Sequence, residues 1–207
     1  AGLLLPIFAR MIKQRADIGS MLQFSFLLLF VPAVIISFSS GFYDQEIMLL
    51  LKYSHTELSA SIFQILMVSF LGVATTYIFG TLLTANGSIR QLNLMAVAGM
   101  GINIGMNLLL IPHWQALGSA WASLATQLFT ALAQTYLAVT ILKLKINYRL
   151  IGKLVLFVCF VALAGYFSRK ISSWYLGYFS MILFGIIFAL ATKLINLKAL
   201  AQIIRND

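Results

Sequence analysis

Charge is scarce in this chain. Lysine, arginine, aspartate and glutamate make up 9% of its 207 residues, against 61% hydrophobic residues, whereas a soluble domain carries roughly 25% charge and 45–50% apolar residues. A water-soluble fold hides long apolar helices only beneath a charged shell, and this chain cannot supply one. The bilayer is therefore the expected solvent. Cysteine is almost absent too: Cys159 stands alone in an apolar run, which excludes an internal disulfide framework and a multi-cysteine metal site. Acidic residues number five and histidines two, His55 and His113, both expected in outer loops. No Ser-His-Asp grouping, paired carboxylates or metal-ligand cluster emerges from their spacing, so neither an enzyme nor a cofactor protein is expected.

What is present is a net charge of +9. A nucleic-acid surface would need a continuous basic stripe, but the basic residues form short clusters between apolar segments, the distribution that orients membrane proteins. Nucleic acid is not an expected partner. Six spans are expected, over residues 21–38, 58–83, 92–111, 117–142, 154–167 and 175–195. Pro32 is tolerated inside the first, Asn86-Gly87-Ser88 turns the chain after the second, and Pro112 is expected to end the third. The fifth is short enough to need tilt, local bilayer thinning or flanking residues from the loop.

Residues 3–9 read as the end of a helix whose beginning lies outside the chain. Residues 1–16 lack the pattern of a secretory signal, and the start reads as mid-protein, with an N-terminal portion missing. Residues 42–57 carry Asp44, Glu46, Lys52 and Glu57 around an apolar IMLLL, as an interfacial connection would. The tail, residues 196–207, is mildly amphipathic.

Alternating spans assign eleven basic residues to one side: Arg10, Lys13, Arg15, Arg90, Lys143, Lys145, Arg149, Lys153, Lys193, Lys198 and Arg205. The other side receives Lys52, Arg169 and Lys170. The bias is expected to put both visible ends in the cytoplasm.

No charged residue falls well inside a span, so no internal proton carrier is expected here. The polar residues that do enter are Gln64, Thr75, Thr76, Asn103, Asn107, Thr126, Gln127, Thr130 and Gln134. Asn103 and Asn107, four apart, share one helix face. They either line a hydrated cavity or bond neighbouring helices, the commoner use of amides in membranes. Gly101 and Gly105 form a GxxxG, and Gly118, Ala122 and Thr126 a small face on the next helix, which together predict close backbone approach. Trp114, Trp121 and Trp174 read as interface anchors, or as packing in the case of Trp121.

Three stretches in order, LLTANGSIRQ, GINIGMNLLLIPHWQALG and SAWASLATQ, resemble the polysaccharide and O-antigen (oligosaccharide-lipid) flippases of the multidrug/oligosaccharidyl-lipid/polysaccharide exporter superfamily. Asn86-Gly87 with Arg90, Asn107 with Ile111-Pro112, and Gly118 with Ala120 and Ala122 carry the resemblance. It implies an all-α membrane protein in which residues 1–145 are part of the C-terminal lobe of a two-lobe flippase and residues 146–207 are two additional transmembrane helices with a cytoplasmic tail.

The function so implied is to flip an undecaprenyl-diphosphate-linked oligosaccharide across a bacterial inner membrane by alternating access. Asn103, Asn107 and Gln127 would then face the cavity, and Arg90 would meet the lipid-linked phosphate at the cytoplasmic mouth. Partners would be the lipid-linked oligosaccharide, membrane lipid, and polysaccharide polymerase or assembly proteins. The rival expectations are a multidrug or small-cation exporter of the same superfamily and a non-transporting scaffold of a polysaccharide assembly complex.

Overall fold

The computed structural model describes residues 4–52 and 56–195, and every regular element among them is a helix. In order they are α1 (Leu4–Lys13), α2 (Ile18–Phe42), α3 (Asp44–Leu50), α4 (Thr56–Ala85), α5 (Ile89–Ile141), α6 (Tyr148–Ser168) and α7 (Trp174–Ala191). Five of them, α2 and α4 to α7, are long and apolar enough to cross a membrane. The chain is an all-α, multi-pass membrane protein. His55, Lys198, Arg205 and the expected amphipathic tail lie outside the described residues.

The 53 residues of α5 would reach about 80 Å as one straight rod, far beyond a hydrocarbon core of about 30 Å. The backbone breaks at Gln115, whose φ of 48° and ψ of −125° are not helical. Beyond that residue the chain runs back along itself. Asn103 is hydrogen-bonded to Thr126, 23 positions away, and Gly118 lies against the Leu110 carbonyl. Thus α5 is a hairpin of two arms, residues 89–114 and 116–141, and the six expected spans are carried by five elements. Pro112 does not end the third span. It removes only one backbone donor, the helix continues past it, and the reversal waits for Gln115.

Two other segments gain definition. Asn147 caps α6 by accepting from the Leu150 backbone amide at 3.2 Å, so the helix already holds Arg149 and Lys153. Flanking residues from the loop, one of the expected remedies, thus lengthen it to 21 residues and about 31 Å. The connection after α2 is fastened to the bundle on one side, where Tyr43 and Met48 are buried and Glu46 is ion-paired to Arg169, while Leu49, Leu50 and Leu51 stay exposed, and Glu57 already belongs to the first turn of α4.

Apolar on every side, α2 is the most deeply buried span and stands at the centre. Leu22 joins a cluster with Phe8 of α1, Ile78, Leu82 and Leu83 of α4, and Ala138 of the second α5 arm. Val31, Val34 and Ile35 join another with Phe157 and Val161 of α6 and Met181 and Ala189 of α7. The last two helices therefore dock directly on α2. Glycines make that contact possible: a side-chain carbon at Gly165 would stand 2.5 Å from the Phe42 ring, and one at Gly185 2.9 Å from Ile35. Gly177 fits beneath the Tyr43 hydroxyl.

Three long-range contacts agree with the alternating charge count. Glu46 meets Arg169 at one end of the bundle, while at the other Lys153 Nζ donates to the Thr192 carbonyl at 3.1 Å and Asn147 Nδ2 donates to Gln23 Oε1 at 3.4 Å. The many-lysine ends thus share one side.

Candidate functional site: a polar ladder in the α5 hairpin

The first arm of α5 is the least enclosed span. Gly99 is its only buried residue, and Leu94, Val97, Met100, Ile104, Leu108 and Leu109 all face outward. An apolar exposed face is what lipid contact requires. Along its inner side runs a row of uncharged polar groups. Asn107 Nδ2 donates to Asn103 Oδ1 at 2.9 Å, Asn103 Nδ2 donates to Thr126 Oγ1 at 3.2 Å, and Thr126 Oγ1 donates to the Ala122 carbonyl at 2.8 Å. Thr130 Oγ1 continues the row by donating to the Thr126 carbonyl at 2.8 Å.

Gly99 lets the arms close on this row, because a carbon there would stand only 3.4 Å from Thr130 Oγ1. The ladder ends unsatisfied: Asn107 Oδ1 is shut off from solvent and has no hydrogen-bond partner. Beside Asn107 lies an open groove of about 300 Å³ lined by Ile104, Leu108, Ile111 and Pro112. An amide acceptor left without a donor is costly in an apolar setting, and because Asn107 Oδ1 is covered, a hydroxyl or amide meets it only when the side chain turns into the groove.

Of the four candidate residues, the structure brings together Asn103 and Asn107. Gln127 is elsewhere. One residue on from Thr126, it is turned by about 100° onto α4, where a carbon at Gly72 would meet Gln127 Cβ at 3.0 Å and its backbone carbonyl at 3.1 Å. Gln134 sits over Gly80 in the same way, so α4 and the second arm run parallel with glutamines seated on glycines. Arg90 is exposed in the first turn of α5, about 20 Å along the arm from Asn103. It belongs to the basic end of the bundle and does not join the ladder.

The GxxxG expectation also changes. Gly101 and Gly105 have nothing within 4 Å, whereas Gly118, on the small face expected of the second arm, does approach closely, a carbon there coming within 2.6 Å of the Leu110 carbonyl, and Gly99 adds an approach outside the motif. Thr75 and Thr76 donate to carbonyls of their own helix, and Gln64 Nε2 donates to the Gly41 carbonyl at 3.3 Å. Trp121, expected in packing, is exposed.

One polar cluster was invisible in the sequence. The buried Tyr43 hydroxyl donates to Ser168 Oγ at 3.0 Å, Ser168 Oγ donates to the Gly165 carbonyl at 2.8 Å, and the Arg169 guanidinium lies 5.1 Å from the Tyr43 ring centroid while it pairs with Glu46. Separations of more than 100 residues leave no local spacing to detect. Among the described residues no group of histidine, cysteine and carboxylate side chains is placed to hold a metal. Compared with known proteins, the chain matches no family model, no curated protein and no solved structure.

Proposed function

We propose that the chain is part of a carrier that moves a hydroxyl-rich headgroup across the membrane, and that the headgroup is the diphosphate-linked oligosaccharide of an undecaprenyl-borne repeat unit. The observation that supports this reading most is the Asn103–Asn107 ladder, which ends in an unpartnered acceptor beside an open groove on the least enclosed span. A glycan headgroup cannot cross about 30 Å of hydrocarbon unaided. Neutral amides and hydroxyls bond sugar hydroxyls without placing a fixed charge in the membrane. On this reading the Asn107 end of the ladder borders a polar cavity completed by another lobe while the outward apolar face of the arm meets lipid, the basic ends lie in the cytoplasm of a bacterium, and the transport cycle alternates access across the inner membrane. Binding, with no bond made or broken, is the task.

A structural role has its own support: Asn103 is fully engaged within the hairpin, as an interhelical bond would be. The two roles separate by position, Asn103 holding the arms and Asn107 offering the free acceptor.

Deleting the full gene in its host tests the proposal. Loss of surface polysaccharide with accumulation of polyprenyl-linked repeat units, restored by the intact gene and not by Asn107→Leu, is the expected result. Unchanged glycan with new drug sensitivity would favour an exporter, and full rescue by Asn107→Leu would favour a scaffold.

A further inference from the structure

Between α6 and α7, in the half nearest the turn that joins them, lies a groove of about 380 Å³. Phe160, Leu163, Phe167, Ile171 and Phe184 give it an apolar wall, and its two hydroxyls are already engaged. Ser168 Oγ donates to the Gly165 carbonyl and Ser180 Oγ to the Gly177 carbonyl, each at 2.8 Å. An occupant thus finds hydrocarbon surface and no free donor. From Phe160 to Ser168 the wall extends about 12 Å along α6 before Ile171 closes it in the turn, most of the depth of one leaflet of a hydrocarbon core of about 30 Å.

Two cations stand at the mouth. Arg169 is committed to Glu46 and Tyr43. Lys170 is exposed and has no carboxylate partner among the described residues. Its Nζ is held 5.4 Å from the ring centroid of Phe167, a wall residue, and 5.7 Å from that of Tyr166. An apolar slot most of a leaflet deep, with one uncommitted ammonium on its rim, matches an amphiphile with a hydrocarbon tail and an anionic head.

We infer that this groove binds one acyl chain of an anionic glycerophospholipid from the leaflet at the α6–α7 turn, with Lys170 holding the phosphate. The lipid fills the space between the two helices on the side that faces away from α2, and so braces the hairpin that Gly165, Gly177 and Gly185 dock onto the bundle.

Native mass spectrometry of the full chain, released from detergent with phosphatidylglycerol or with phosphatidylcholine of the same acyl chains, tests the inference. Phosphatidylglycerol is expected to bind about fivefold more tightly, the effect of one basic residue near an anionic headgroup. Lys170→Gln removes that preference, whereas Lys193→Gln, at the opposite end, leaves it intact. Ala164→Phe fills the groove and abolishes tight binding of both lipids. If its helicity falls, Ser180→Leu does the same from the facing helix. Equal binding of the two headgroups, or a preference that survives Lys170→Gln, overturns the assignment. So does displacement of phosphatidylglycerol by equimolar undecaprenyl phosphate, which would give the groove to a polyprenyl chain.

Discussion

Gly177 lies directly beneath the hydroxyl of Tyr43, so close that no side-chain carbon fits between them. Tyr43 is buried at the junction of α2 and α3, and its hydroxyl donates to Ser168 at the end of α6. One missing methyl group on α7 therefore allows a single tyrosine to join three elements. Gly177→Ala forces the ring aside and is expected to destabilise the protein by about 1–3 kcal/mol, as overpacking does. Gly101→Ala, which meets open space, is expected to be neutral or to stabilise by up to about 1 kcal/mol through helix propensity. Thermal unfolding in detergent, followed by circular dichroism, compares the two. Equal melting temperatures would refute the close fit.

The Glu46–Arg169 ion pair adds less than its position invites. The Arg169 side chain is 44% exposed and that of Glu46 23%, so solvent screens their attraction. A double-mutant cycle with Glu46→Gln and Arg169→Met is expected to give a coupling of at most about 1 kcal/mol, falling with added salt. A much larger, salt-independent value would mean the pair is effectively buried.

The reversal of α5 rests on a conformation that L residues seldom adopt. Gln115 at φ 48° and ψ −125° is strained by about 1–3 kcal/mol, and glycine occupies that region freely. Gln115→Gly is expected to raise stability by about 1 kcal/mol and Gln115→Val to lower it by a similar amount. Chemical denaturation of the two variants reads both signs, and the opposite order would place the reversal at another residue.

Asn103 and Asn107 differ in what their loss removes. Asn103→Leu deletes both ladder bonds and is expected to destabilise by about 0.6–1.7 kcal/mol, the range of interhelical bonds in membranes. Asn107→Leu deletes one bond and an unpartnered acceptor, so its effect on unfolding is expected to be smaller while its effect on glycan export is larger. Paired unfolding and complementation assays separate the two, and parallel losses in both assays would assign the ladder to packing alone.

Part of this site was legible in the sequence. The i, i+4 spacing of Asn103 and Asn107 put both on one helix face, and the structure joins them. The family resemblance, not spacing, grouped Gln127 with them, yet Gln127 faces Gly72, because it follows Thr126 and adjacent residues on a helix point about 100° apart. Of the small residues singled out for close approach, Gly118 makes one and Gly101 and Gly105 do not, while Gly99, outside the motif, makes another.

The residue sequence by itself determined that this chain is helical, membrane-embedded and crosses about six times, with its basic residues gathered on one side. Those properties follow from segment length, apolar content and the placement of lysine and arginine, all of which are local. Only the tertiary structure decided which face of each helix meets protein. In water an amphipathic stripe marks the buried face, but lipid is as apolar as a protein interior, so α2 and α4 carry no such stripe. Hence the partners of Gly177, Gln127 and Arg169 had to come from the packing itself, where a missing side chain, rather than an apolar one, sets how closely two helices approach.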